Sequence, residues 1–132
     1  MNNLSDSLGK LVLRLTLGIF LLFHGIAKIF NPDVLEFIKG QLTTQGLPSF
    51  FAYGVYLGEV IAPLLIIFGI FTRAGGLIIA GNMIVAIVLV HMGEIFYLGD
   101  SGGWALELQG FYLLCGLTVF LMGSGQYAVK PD

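Results

Sequence analysis

Four ionisable residues, His24, Lys28, Glu59 and Glu107, stand inside or at the edge of long apolar runs, and Arg14 and Asn82 interrupt two of those runs as well. A charge held in lipid is costly enough that such residues normally turn toward the interior of a helix bundle and mark a site or a structural ion pair. A carboxylate partly desolvated beside a lysine or histidine can exchange protons near neutral pH, because burial disfavours the anion while the neighbouring cation favours it. That is the chemistry needed to exchange protons with a bound quinol. On this reading Glu59, Glu107, His24 and Lys28 are the candidate catalytic residues, and Arg14, His24, Lys28, Glu59 and Asn82 the candidate ligands of a quinone headgroup. The structural alternative is that Arg14, Glu59, Asn82 and Glu107 only form ion pairs and hydrogen bonds that fix packing in lipid.

His24 and His91 raise the question of a bis-histidine haem, since imidazoles are common axial ligands. The helical wheel argues against it. His91 is nine positions from Asn82, half a turn off the polar stripe of its helix, so the two histidines need not face one centre. A metal held by His24, Glu59, His91 and Glu107 is no better supported, because such spacings are not diagnostic. No metal site is expected. Cys115 is the single cysteine and lies in an apolar run, which excludes thiol–disulfide exchange within one chain and leaves core packing.

The elements that must position these groups follow from composition. The chain has 132 residues, 57% hydrophobic and only 11% charged, with a mean hydropathy of +0.93, whereas soluble domains carry about 25% charged residues. It is read as an all-α membrane protein. At about 20 residues per span, four helices fit and six do not, which rules out large transporters. A net charge of −2 leaves no basic surface for nucleic-acid phosphates.

The apolar runs predict spans over about residues 8–30, 50–71, 75–92 and 104–122 of a single membrane domain covering 1–132. Asn31-Pro32 ends the first, and Arg14, Lys28 and the lack of a small-residue cleavage triplet speak against a cleaved signal peptide. Residues 33–49 mix charges with Leu35, Phe37, Ile38 and Leu42 and predict a short amphipathic helix between spans one and two. Pro63 should kink the second span, and Gly123-Ser124-Gly125 should stop the fourth.

Lys10, Arg14, Arg73 and Lys130 mark one side of the bundle, against Lys28 and Lys39 on the other, so both termini are expected on the cytoplasmic side. At about 1.5 Å per residue, His24 and Lys28 lie within roughly 9 Å of the outer end of span one, and Glu59 lies roughly 13 Å in from the outer face. One outer-half cluster with Glu107 is therefore expected. The inward stripes are read as Arg14, Gly18, Leu21, Gly25 and Lys28 on span one; Glu59, Ala62, Pro63 and Ile66 on span two; Gly75, Asn82, Ala86, Leu89 and Gly93 on span three; and Glu107, Gly110, Phe111, Leu114 and Thr118 on span four.

Taken in order, Arg14-Leu-x-x-Gly18, His24-Gly25-x-x-Lys28, Glu59, Thr72-Arg73, His91, Glu107 and Gly123-Ser124-Gly125 resemble the DoxX family over nearly the whole chain. The resemblance implies a small bacterial membrane protein of four helices, related to the DoxD subunit of thiosulfate:quinone oxidoreductase. Some members are described as quinol-oxidase subunits or as partners in oxidative-stress complexes. The tail from Tyr127 to Asp132 is close to the family's short ending and carries no further signal.

The leading expectation is thus a membrane subunit of a redox system that binds a quinone or a small redox-active molecule in a polar bundle interior. The chain has no flavin or nicotinamide fingerprint and no cluster cysteines, so electrons would come from an oxidoreductase partner or from a reduced substrate. A non-enzymatic scaffold or assembly partner of an oxidoreductase complex is the alternative, and a solute pathway through a homo-oligomer is a third.

Overall fold

The computed structural model describes residues 4–132; the extreme N-terminus, whose side of the membrane the sequence predicts, lies outside the described residues. Five helices follow one another: α1 (Leu4–Phe30), α2 (Pro32–Thr44), α3 (Ser49–Phe68), α4 (Thr72–Glu94) and α5 (Glu107–Met122). Helices α1, α3 and α4 are long and apolar enough to cross a membrane, and α5, with 16 residues, covers about 24 Å. Together they form a four-helix membrane bundle, and α2 is the short amphipathic helix expected between the first two spans. Large apolar side chains such as Phe20, Phe23, Phe111 and Leu114 are exposed on the outside, as a lipid solvent requires.

Local chemistry sets the boundaries. Span two ends at Phe68 rather than near residue 71 because Gly69 (φ 76°) and Phe71 (φ 49°) both adopt left-handed backbone, which breaks the helix and returns the chain within a few residues. Span three begins at Thr72 and continues to Glu94, and α1 already starts at Leu4. Span four starts at Glu107, later than expected, because Trp104 belongs to a turn bridged to Leu98, with its indole N–H donating to the Ile95 carbonyl at 2.8 Å.

Pro63 acts through its missing N–H. A regular helix would use that donor for the carbonyl of Glu59, four residues back. The chain instead widens into a π-helical segment over Leu57–Ile61 before resuming a regular helix at Ala62, and the Glu59 carbonyl packs directly on Gly25 of α1.

Leu17, Leu21, Ala62, Ile66, Ile79, Met83 and Val119 form the buried core. The stripes expected on α1 and α3 are the faces buried: Arg14, Gly18, Leu21 and Gly25 on one, Glu59, Ala62, Pro63 and Ile66 on the other. The stripe expected on α5 is not. Phe111 and Leu114 face outward, and the buried positions are Gly116 and Val119. A Cβ on Gly76 would come within 2.5 Å of the Gly116 carbonyl, and one on Gly116 within 2.8 Å of the Gly76 carbonyl. This reciprocal glycine contact, where backbones meet, sets the rotation of α5 on α4.

The C-terminal tail returns over the break between α3 and α4. Val129 N–H donates to the Phe68 carbonyl at 3.0 Å and Lys130 N–H to the Gly69 carbonyl at 2.9 Å. Arg73 binds the tail through Asp132 and donates to the Phe120 and Leu121 carbonyls at the end of α5. Lys10 packs against Gly125, so Lys10, Arg73 and Lys130 gather at one end of the bundle, opposite Lys28 and Lys39.

Candidate functional site in the bundle interior

Lys28, Glu59 and Asn82 come together from three helices. The Lys28 ammonium pairs with Glu59 Oε1, and Asn82 Nδ2 donates to Glu59 Oε2 at 3.0 Å. The Glu59 side chain is 5% exposed and that of Lys28 23%. Each oxygen of the carboxylate therefore has its own donor, which is the condition for holding a charge inside a bundle. Close packing makes the meeting possible: Gly25 admits the backbone of Glu59 one turn before Lys28, and Gly58 admits the side chain of Asn82.

This triad lines a cavity of about 630 Å³ bounded by α2, α3 and α4. Val34, Phe37, Ile38 and Leu42 of α2 line one side, with Phe51, Val55 and Leu57 of α3 and Val85, Leu89 and Val90 of α4 among the rest. The polar face of α2 turns away: Lys39 pairs with Glu36 at 3.1 Å and donates to the Tyr53 hydroxyl at 3.1 Å. Hydrogen bonding to Tyr53 first, and to Glu36 second, pushes the Lys39 ammonium above its ordinary pKa. Volume and lining suit a flat, largely apolar molecule with one polar end, the usual character of small-molecule pockets. Lys28 has three N–H donors and Asn82 two, and each uses one on Glu59, so both retain donors for a ligand oxygen.

His91 also lines the cavity, although counting residues along a regular helix puts it half a turn from Asn82. The reason is a second π-helical segment, Ile87–His91. Its wider turn uses more residues per revolution and swings His91 back toward the cavity. Nothing in the residue types marks such a segment in advance.

The other candidates lie elsewhere. His24 is exposed and rests edge-on against Tyr112 of α5, with ring centroids 5.7 Å apart; it does not line the cavity, so the two histidines are not gathered at one site. Glu107 is exposed at the start of α5, its carboxylate beside Gly103, because the helix begins there and leaves its first turn outside the core. Arg14 is 1% exposed, yet among the described residues all its hydrogen bonds go to backbone: Nε to the Ile66 carbonyl at 2.9 Å, one terminal nitrogen to the Ser124 and Tyr127 carbonyls at 2.9 and 2.7 Å, and the other to Ile67 at 3.3 Å. Arg14 thus joins the end of α3 to the tail. Tyr112, which carried no signal in the sequence, packs on the core near Glu59.

The family model for DoxX matches residues 9–92. The chain belongs to the DoxX family. The matched stretch holds all the polar residues of the cavity, Lys28, Glu59, Asn82 and His91, whereas Glu107 and the tail fall outside it. Among curated relatives, this DoxX protein is 33% identical to a Bacillus subtilis protein named "Putative oxidoreductase CatD", over 98% of this chain and 90% of that one. It is 31% identical to the "Uncharacterized membrane protein Rv3486" of Mycobacterium tuberculosis, over 86% of this chain and 72% of that one. A Haemophilus influenzae protein with no described role is 30% identical over 89% and 84% of the two chains. No solved structure matches the chain.

Proposed function

We propose that this DoxX protein is an inner-membrane subunit of a redox system that binds a quinone in the cavity between α2, α3 and α4, with Lys28 and Asn82 donating to the headgroup oxygen and Glu59 exchanging a proton with it. The observation that carries the reading is the Lys28–Glu59–Asn82 triad set in an otherwise apolar cavity of about 630 Å³. A ligand oxygen that takes a hydrogen bond from Lys28 competes with Glu59 for that cation, and a proton on Glu59 would replace the contact it gives up. Proton and ligand binding are coupled in this way. Electrons pass to or from an oxidoreductase partner, a role in keeping with the name of the Bacillus subtilis relative. The basic end, with Lys10, Arg73 and Lys130, faces the cytoplasm, and the cavity lies in the outer half of the membrane.

Binding tests this reading. With the protein in lipid nanodiscs, a short-chain ubiquinone and a short-chain menaquinone are titrated against wild type, Lys28→Met, Glu59→Gln and Asn82→Leu. Affinity should fall about tenfold or more in each variant, the loss of one buried hydrogen bond or charge contact, and stay unchanged in Glu36→Gln on the exposed face of α2. Full affinity in all three folded cavity variants would leave a non-enzymatic scaffold as the better account. The backbone-only bonding of Arg14 favours that second reading for the Arg14 end of the bundle.

A further inference from the structure

Among the described residues, four side chains lining the cavity are polar: Lys28, Glu59, Asn82 and His91. The first three bond one another, whereas His91 stands nine residues beyond Asn82 on α4, about 13 Å farther along the helix. Its partner is Glu94, whose Oε1 lies 2.9 Å from His91 Nδ1 and whose side chain is 52% exposed. Glu94 is not part of the cavity lining. A carboxylate only accepts hydrogen bonds, so Nδ1 donates to Glu94, and the lone pair of an unprotonated ring is then on Nε2. An imidazole held at Nδ1 by a carboxylate is fixed in orientation and tautomer, the arrangement of a base and its orienting group. The π-helical segment Ile87–His91 brings this pair to the cavity edge, with the imidazole on the ligand side and the carboxylate on the exposed side.

We propose that His91 is the base that takes a proton from a phenolic or hydroquinone hydroxyl in the cavity, and that Glu94 is its positioning residue. This rests on the cavity holding a ligand of the quinol class. In the step, the ligand O–H bond breaks, an N–H bond forms at His91 Nε2, and the electron pair stays on the ligand oxygen. A phenolate and an imidazolium result, the imidazolium is stabilised by Glu94, and its proton leaves to water on the exposed side. No electron moves, so no oxidant is needed. The charged groups on the neighbouring elements are Asp33, Glu36 and Lys39 of α2, the last two paired with each other, and Lys28 and Glu59, paired at the triad.

The test uses the full chain in lipid nanodiscs and, as probe, 4-nitrophenol bearing a short alkyl chain, whose absorbance separates the neutral from the ionised form. At a pH below the probe's own ionisation, wild type should hold it largely ionised. His91→Gln and His91→Asn should bind it within twofold of wild type but lower the ratio of ionised to neutral bound probe about tenfold, one pKa unit. Glu94→Gln should lower the ratio partway, and Glu94→Asp should restore it. Equal ionisation on wild type and on either His91 variant overturns the proposal while leaving the cavity reading intact. Failure of wild type to bind the probe removes the cavity reading and this step together. Lys28→Met separates the two roles: it should weaken binding, yet the probe that does bind should remain ionised.

Discussion

The backbone carbonyl of Glu59 lies directly against Gly25, leaving no room for a side chain at that position of α1. This is the carbonyl that Pro63 deprives of its helical donor, and the contact brings α1 and α3 close enough for Lys28, three residues on, to reach the Glu59 carboxylate. Proline, π-helical segment, glycine and ion pair thus form one connected device.

Gly25→Ala should therefore destabilise the protein, because its Cβ would meet a backbone atom that cannot rotate away. The expected cost is about 1–3 kcal/mol, the usual range for overpacking. Gly9→Ala, on the same helix with nothing within 4 Å, should be neutral or slightly stabilising. Thermal unfolding in detergent compares them, and a Gly25→Ala protein as stable as Gly9→Ala would contradict the close approach.

Arg14 should tolerate no replacement, lysine included. Its planar fork reaches four carbonyls on α3 and the tail, and an ammonium cannot reproduce that geometry. Arg14→Lys should cost about 1–3 kcal/mol for each buried carbonyl left unpaired and should free the tail, read as faster amide exchange at Val129 and Lys130. Unchanged exchange in a folded Arg14→Lys protein would count against the clamp.

Much of the fold was legible because lipid makes polarity expensive. Four apolar runs gave the spans, Asn31-Pro32 the first break, and the glycine-bearing stripes the buried faces of α1 and α3. Lys28, Glu59 and Asn82 were legible as inward-facing polar residues for the same reason. The face of α5 was not, since that helix is apolar all round and its rotation depends on the contact between Gly76 and Gly116, a relation between distant positions. Arg14 showed its burial but not its partners, which are backbone carbonyls that no residue type announces. The place of His91 depends on a local widening of α4 that breaks the 3.6-residue count on which a helical wheel rests. His24 and Glu107 were placed near the triad by counting residues alone, which gives a depth along a helix but not the direction of a side chain.

The charge distribution predicts a topology that can be checked. Reporter fusions at Asp132 and within α2 should report opposite sides, with Asp132 cytoplasmic, since Lys10, Arg73 and Lys130 gather at the tail end. A tail reported outside would reverse the bundle and place the cavity in the cytoplasmic half.

Photolabelling asks whether a quinone occupies the cavity between α2, α3 and α4. A short-chain quinone carrying an azide is irradiated with the protein in lipid nanodiscs, and the adducts are located by peptide mass spectrometry. Adducts are expected on cavity residues such as Phe37, Leu42, Val85 and Leu89, suppressed by excess unlabelled quinone and lost in Glu59→Gln. Adducts confined to lipid-facing residues such as Phe20, Phe23 and Phe111, with no competition by unlabelled quinone, would contradict that occupancy.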